Sequence, residues 1–176
     1  MRTVRFEDPT HDDGCSAARY LARVPEGLVV GGYRGWLHFA AMRDVSRLEA
    51  VWNEFNTRLD PNAAGLAMAG LERLIRQLGS CAACPLRFHC QGVKHLCRDE
   101  CLMLSLISGL QNGEDEAAFL SALGLTSADR APTIVTAGGE FAMALKISGH
   151  QLLPIHADTV RWLATDRSQP AKTTLH

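Results

Sequence analysis

The sequence predicts an all-α or mostly α protein: a small bundle of about six helices, with a cysteine-rich metal-binding loop between two of them. Three observations carry that expectation. Apolar residues recur every three or four positions through much of the chain, the rhythm of an amphipathic helix. Caps and breakers, among them Asp44, Asp60-Pro61, Gly79 and Asn112-Gly113, cut that rhythm into segments of helical length. Five of the six cysteines fall within the 21 residues from Cys81 to Cys101, with helical patterns on either side.

A chain of 176 residues fits one domain. The expected division is a flexible arm over 1–15, a single helical domain over 16–164 that holds the cysteine-rich site at 80–101, and a flexible tail over 165–176. The arm is polar and contains Pro9, Asp12, Asp13 and Gly14. Its lone Cys15 reads as a surface or core thiol, and His11 beside two aspartates as a solvated acidic turn.

A short helix is expected over 16–23, stopped by Pro25 and Gly27. Gly31-Gly32 then reads as a permissive turn after the apolar run Leu28-Val29-Val30, since no phosphate-loop or dinucleotide signature accompanies it. Tyr33 to Ala41 reads as a buried helix. Asp44 is placed to cap the next one, whose apolar stripe is Val45, Leu48, Val51, Trp52, Phe55 and Leu59. Asp60-Pro61 supplies a cap and a first-turn proline for a helix reaching Leu78. Its expected inward face is Leu66, Ala69, Leu71, Leu74, Ile75 and Leu78, and Gly79 ends it.

Beyond the cysteines, Asp99 to Leu110 reads as a helix broken by Asn112-Gly113. Glu114 to Leu123 follows as another, acidic at its start as the helix dipole favours, with Gly124 closing it. Residues 134–147 read as one helix interrupted at Gly138-Gly139, or as a segment holding a strand, because Ile134-Val135-Thr136 is β-branched. Residues 148–154 form a connection, and 158–164 a last short helix.

Composition bounds the function. The chain is 47% hydrophobic and 21% charged, with net charge -1 and pI near 6.6. This balance argues against broad electrostatic binding to nucleic acid or an anionic membrane. No apolar run is long enough for a membrane span, and the N-terminus lacks the apolar core of a signal peptide. The expected location is the cytoplasm. Clustered cysteines in a reducing compartment bind metal or do redox work more often than they form structural disulfides.

The spacing is Cys81-x2-Cys84-x5-Cys90-x6-Cys97-x3-Cys101. A two-residue gap lets one tight turn aim Cys81 and Cys84 at a shared ion. Cys97 and Cys101, four apart, share one face if a helix begins there, and a helix N-terminus favours thiolates. The expected metal ligands are therefore Cys81, Cys84, Cys97 and Cys101, with Cys90 able to replace one of them. Zinc and a [4Fe–4S] cluster both accept four cysteine sulfurs. Five cysteines exceed what one zinc needs, which favours the cluster and leaves zinc as the alternative. His89, His95, Arg87, Lys94 and Arg98 are expected to offset the thiolate charge nearby.

The segment Cys81-Ala82-Ala83-Cys84-Pro85-Leu86-Arg87-Phe88-His89-Cys90 resembles the cluster segments of several [4Fe–4S] proteins. These are the auxiliary-cluster domains of radical-SAM maturases, helix-hairpin-helix DNA glycosylases and a nitrogen-fixation molybdenum donor. The likeness implies a [4Fe–4S] cluster on this segment. It covers about ten residues of the 176. The fourth cysteine departs from each pattern: none lies close upstream, and Lys94 stands where the maturase type has one downstream.

Asp99-Glu100 reads as an acidic helix start, since adjacent helical residues point in different directions. His150 and His156 have no further donors beside them, and no nucleophile, base and orienting group are spaced for a reaction. The sequence thus points to a non-catalytic metal-binding protein: a redox or oxygen sensor, an electron carrier or a metalloenzyme accessory factor, working with another protein. The alternatives are a zinc-stapled helical interaction module and a metal-free helical adaptor with redox-active thiols. The oligomeric state is not encoded in any of these features.

Overall fold

Asp60 opens its helix as its position predicts: Oδ1 accepts the amides of Asn62 and Ala63 at 3.1 Å each. The computed structural model describes residues 4–6, 17–81 and 85–165. Over these the order is β1 Val4–Phe6, α1 Ala17–Leu21, α2 Val24–Met42, α3 Ser46–Arg58, α4 Pro61–Cys81, β2 Leu86–Phe88, α5 Arg98–Asn112, α6 Asp115–Leu125, α7 Ala131–Ile147 and α8 Ala157–Thr165. The protein is predominantly helical, with eight helices among the described residues instead of about six. No described helix is long and apolar enough to cross a membrane.

Within the expected N-terminal arm, Val4–Phe6 is a strand. It pairs in parallel with β2, Val4 opposite Leu86, Arg5 opposite Arg87 and Phe6 opposite Phe88. The rest of the arm, with His11 and Cys15, and the tail from 166 lie outside the described residues.

The segment expected as helix, turn and second helix over 16–41 is divided differently. α1 is one short turn, and α2 then runs unbroken from Val24 to Met42. Pro25 does not stop it because proline fits the first turn, where its missing amide has no helical partner. Gly31-Gly32 is not a turn. A Cβ on Gly32 would stand 2.6 Å from Leu71 Cδ2, and one on Gly35 2.3 Å from Val51 Cγ2. These glycines let α3 and α4 approach the α2 backbone.

α4 packs most extensively against α7, and α5 against α6. The first contact explains another departure. The buried face of α4 is Ala63, Ala64, Ala67, Gly70, Leu71, Leu74, Ile75 and Leu78, whereas Leu66 is 64% exposed. Small residues face the core because α7 comes close: a Cβ on Gly70 would lie 2.8 Å from Phe141 N. Phe55 of α3 stacks on Phe141 with ring centroids 6.2 Å apart. Along α3 and its caps Val51, Phe55 and Leu59 are buried, while Val45 and Trp52 are exposed.

Gly79 does not end α4, which continues to Cys81, and Gly124 lies inside α6, where it faces Leu102. α7 is continuous through Gly138-Gly139 and contains no strand. Gly113 ends α5 with φ 74°, as the Asn112-Gly113 signal predicts.

The connection 148–156 is held by buried polar side chains. Gln111 Nε2 donates to Ala142 O at 3.0 Å and His150 O at 3.1 Å, and its Oε1 accepts Leu152 N at 2.8 Å. Ser108 Oγ donates to Leu153 O at 2.6 Å and accepts Ile155 N at 3.1 Å. Glu26, paired with Arg23 at 3.0 Å, accepts Leu153 N at 3.0 Å. This fixes the ground on which α8 sits beside the first turns of α5.

Candidate functional site

The cysteine segment leaves α4, passes through β2 and a loop, and enters α5. Cys81 is the last residue of α4, half-buried, its Sγ 3.4 Å from Ser80 Oγ. Cys84 lies outside the described residues. Leu86 and Phe88 of β2 point into the core and Arg87 out of it. Cys90 is exposed and begins a turn in which Gly92 has φ 84°, a left-handed conformation that glycine adopts without strain. Cys97 is the N-cap of α5 and is buried; Cys101 is half-buried in the first turns of that helix.

A helix does begin at Cys97, the condition for Cys97 and Cys101 to share a face: Cys101 N donates to Cys97 O at 3.0 Å. The two sulfurs have different surroundings. Cys97 Sγ–H donates to Arg87 O at 3.3 Å. Cys101 lines a largely apolar hollow of about 260 Å³ between α5, the 154–156 connection and α8, with Leu104 and Trp162. No disulfide joins the four described cysteines. Among the described residues, no three His, Cys, Asp or Glu side chains gather into a group that could hold a metal ion. A closed four-sulfur set is therefore not seen over Cys81, Cys90, Cys97 and Cys101. The thiols suit zinc or an iron–sulfur cluster in kind, but their described arrangement does not.

What the structure builds around this segment is a polar frame. Asp99 and Glu100, expected as an acidic helix start, are 6% and 0% exposed. They do diverge, as adjacent helical residues must. Asp99 Oδ2 accepts Arg87 N at 2.9 Å, and its Oδ1 meets Arg98 Nη1 at 3.3 Å. Glu100 Oε1 accepts His89 N at 2.8 Å and Oε2 accepts Cys97 N at 2.9 Å. Its counter-charge is Arg34 of α2, 3% exposed, with Nε to Oε1 at 2.7 Å and Nη2 to Oε2 at 3.0 Å. Arg34 also donates from Nη1 to Val93 O at 2.7 Å and from Nη2 to His95 O at 2.6 Å.

Arg98 completes the frame on the far side. Its Nε donates to Leu163 O at 2.9 Å, in the last turn of α8. Tyr33 Oη reaches Arg87 O at 3.3 Å, and Gln91 Nε2 reaches Gly31 O at 3.1 Å. Of the residues expected to offset thiolate charge, Arg98 thus binds helix-end carbonyls, while His89 is buried and uses its amide on Glu100. His150 and His156 take different partners, Ser148 O at 2.9 Å and Glu114 at 3.5 Å.

Arg34 and Glu100 are the site residues that reading the sequence missed. The only local signal was the Cys97-x-x-Glu100 spacing, which allows a carboxylate to reach back to the cap amide. No family model, curated protein or solved structure matches the chain.

Proposed function

We propose that the chain is a non-catalytic cytoplasmic metal-binding protein. Its Cys81–Cys101 segment would carry a [4Fe–4S] cluster in sensing, electron transfer or service to a partner metalloenzyme, and zinc is the alternative occupant. The observation that supports this is the concentration of thiols. Five lie within 21 residues, the four described ones form no disulfide, and two stand at the start of one helix. Cys81, Cys84, Cys97 and Cys101 would hold the centre, with Cys90 able to substitute. The bound group would supply electron exchange or sensitivity to oxidants, and the chain would supply thiolates at a helix N-terminus that favours negative charge.

A second reading is favoured by a different observation. Cys90 is an exposed free thiol, which suits a metal-free helical adaptor with redox-active thiols. The visible absorption of protein purified without air separates the two. Broad sulfide-to-iron absorption that bleaches on reduction supports the cluster. A colourless preparation that binds no zinc supports the thiol reading and ends the metal one.

A further inference from the structure

The loop between β2 and α5 has no helix or sheet to satisfy its backbone, and buried backbone polar groups need partners. The sequence expectation gives the shaping of such a loop to a metal. In the structure it falls to two side chains. Arg34 takes the carbonyls of Val93 and His95, and Glu100 takes the amides of His89 and Cys97. Each grips the other through two hydrogen bonds across 66 residues of sequence. A planar guanidinium suits this task, because its donors point along fixed directions in one plane. Taking both charges out of water is costly, and the cost is met only where nearly every donor and acceptor finds a partner. Here both side chains are buried, and each of their charged-group nitrogens and oxygens has a partner.

We propose that Arg34 and Glu100 are positioning residues that shape the 89–97 loop in the role otherwise given to a metal. The loop keeps its form when the cysteines are empty. One consequence rests on the metal reading above: a centre on these cysteines can leave and return without unfolding the chain. This separates the functional classes. Zinc-stapled modules lose their fold with their metal, whereas a chain whose loop is held by its own side chains can exist empty, accept a centre and release it. That behaviour suits a sensor or an accessory factor more than a zinc-stapled module.

The test is amide hydrogen exchange over 89–97 in the full chain, reduced and treated with a chelator until metal analysis reads zero. The expected result is protection within about threefold of the protein purified without air. Arg34→Lys, which keeps the charge but not the planar fork, is expected to speed exchange in this loop at least about tenfold, with the α4–α7 helices still protected. A Cys81→Ser, Cys97→Ser variant is expected to keep the loop protected. Exchange at unstructured rates in the metal-free wild type would overturn the proposal, and that arm needs no variant to fold. Unchanged protection in Arg34→Lys would also overturn it. A chain that never binds metal would end the proposed function yet leave these exchange results standing.

Discussion

Tyr33 and Cys97 meet at a single acceptor, the carbonyl of Arg87, each 3.3 Å away. One residue lies on α2 and the other caps α5, so the middle of β2 is tied to two helices distant in sequence. Tyr33 is fully buried. Tyr33→Phe keeps the ring and removes one of these donors. It is expected to cost about 1 kcal/mol in urea unfolding, with no loss of helix by circular dichroism.

Glu100→Gln is expected to cost far more. It leaves Arg34 charged, buried and without its counter-charge, a change worth about 3–5 kcal/mol in other buried pairs. Replacing both residues by methionine removes the stranded charge, so the Arg34→Met, Glu100→Met chain is expected to be more stable than Glu100→Gln alone. Urea denaturation of the two variants, compared with wild type, checks the order.

Gly35 sets the approach of α3 to α2. A methyl there meets Val51 Cγ2 at 2.3 Å and Arg47 O at 3.3 Å. Gly35→Ala is expected to destabilise by roughly 1–3 kcal/mol, as overpacked sites do. Val51→Ala removes the closer neighbour. The double variant is therefore expected to lose less than the sum of the two single losses, as thermal or urea unfolding would show.

Asp44, expected to cap α3, stands one residue before its N-cap, Val45, and accepts from Ser46, whose hydroxyl donates to Oδ1 at 2.6 Å and whose amide donates at 3.1 Å. The hydroxyl contact is the largest cause holding the Asp44 carboxyl below the ordinary carboxylate range. A depressed folded-state value means stability that is present above the unfolded carboxylate pKa and is lost as pH falls through the folded one. Ser46→Ala is expected to move the Asp44 midpoint upward in an NMR titration and to shrink that acid-side loss. An unmoved midpoint would assign the shift to Arg47 and the backbone.

The helices were legible because their cue is local. The rhythm over Val51, Phe55 and Leu59 and the Asp60 cap report on neighbours three or four residues away, and both survive in the fold. What was misread depends on distant partners. Gly31-Gly32 looks like a turn until α3 and α4 are known to press on that face. Leu66 looks like core until α7 is seen to choose the small-residue face through Gly70 and Phe141. The candidate site divides the same way. The four-residue gap from Cys97 to Cys101 agrees with the helix that begins there, but the partner of Glu100 lies 66 residues away. An acidic pair at a helix start carries no sign that one member is fully buried.

The metal content of the chain purified without air tests the central claim most directly. Iron, sulfide and zinc would be counted per chain, in wild type and in Cys97→Ser, Cys101→Ser. The expected result is about four iron and four sulfide per chain, or one zinc for the alternative occupant, lost in the double variant. Folded wild-type protein holding neither, or a double variant that retains its metal in full, would contradict a metal centre built on these cysteines.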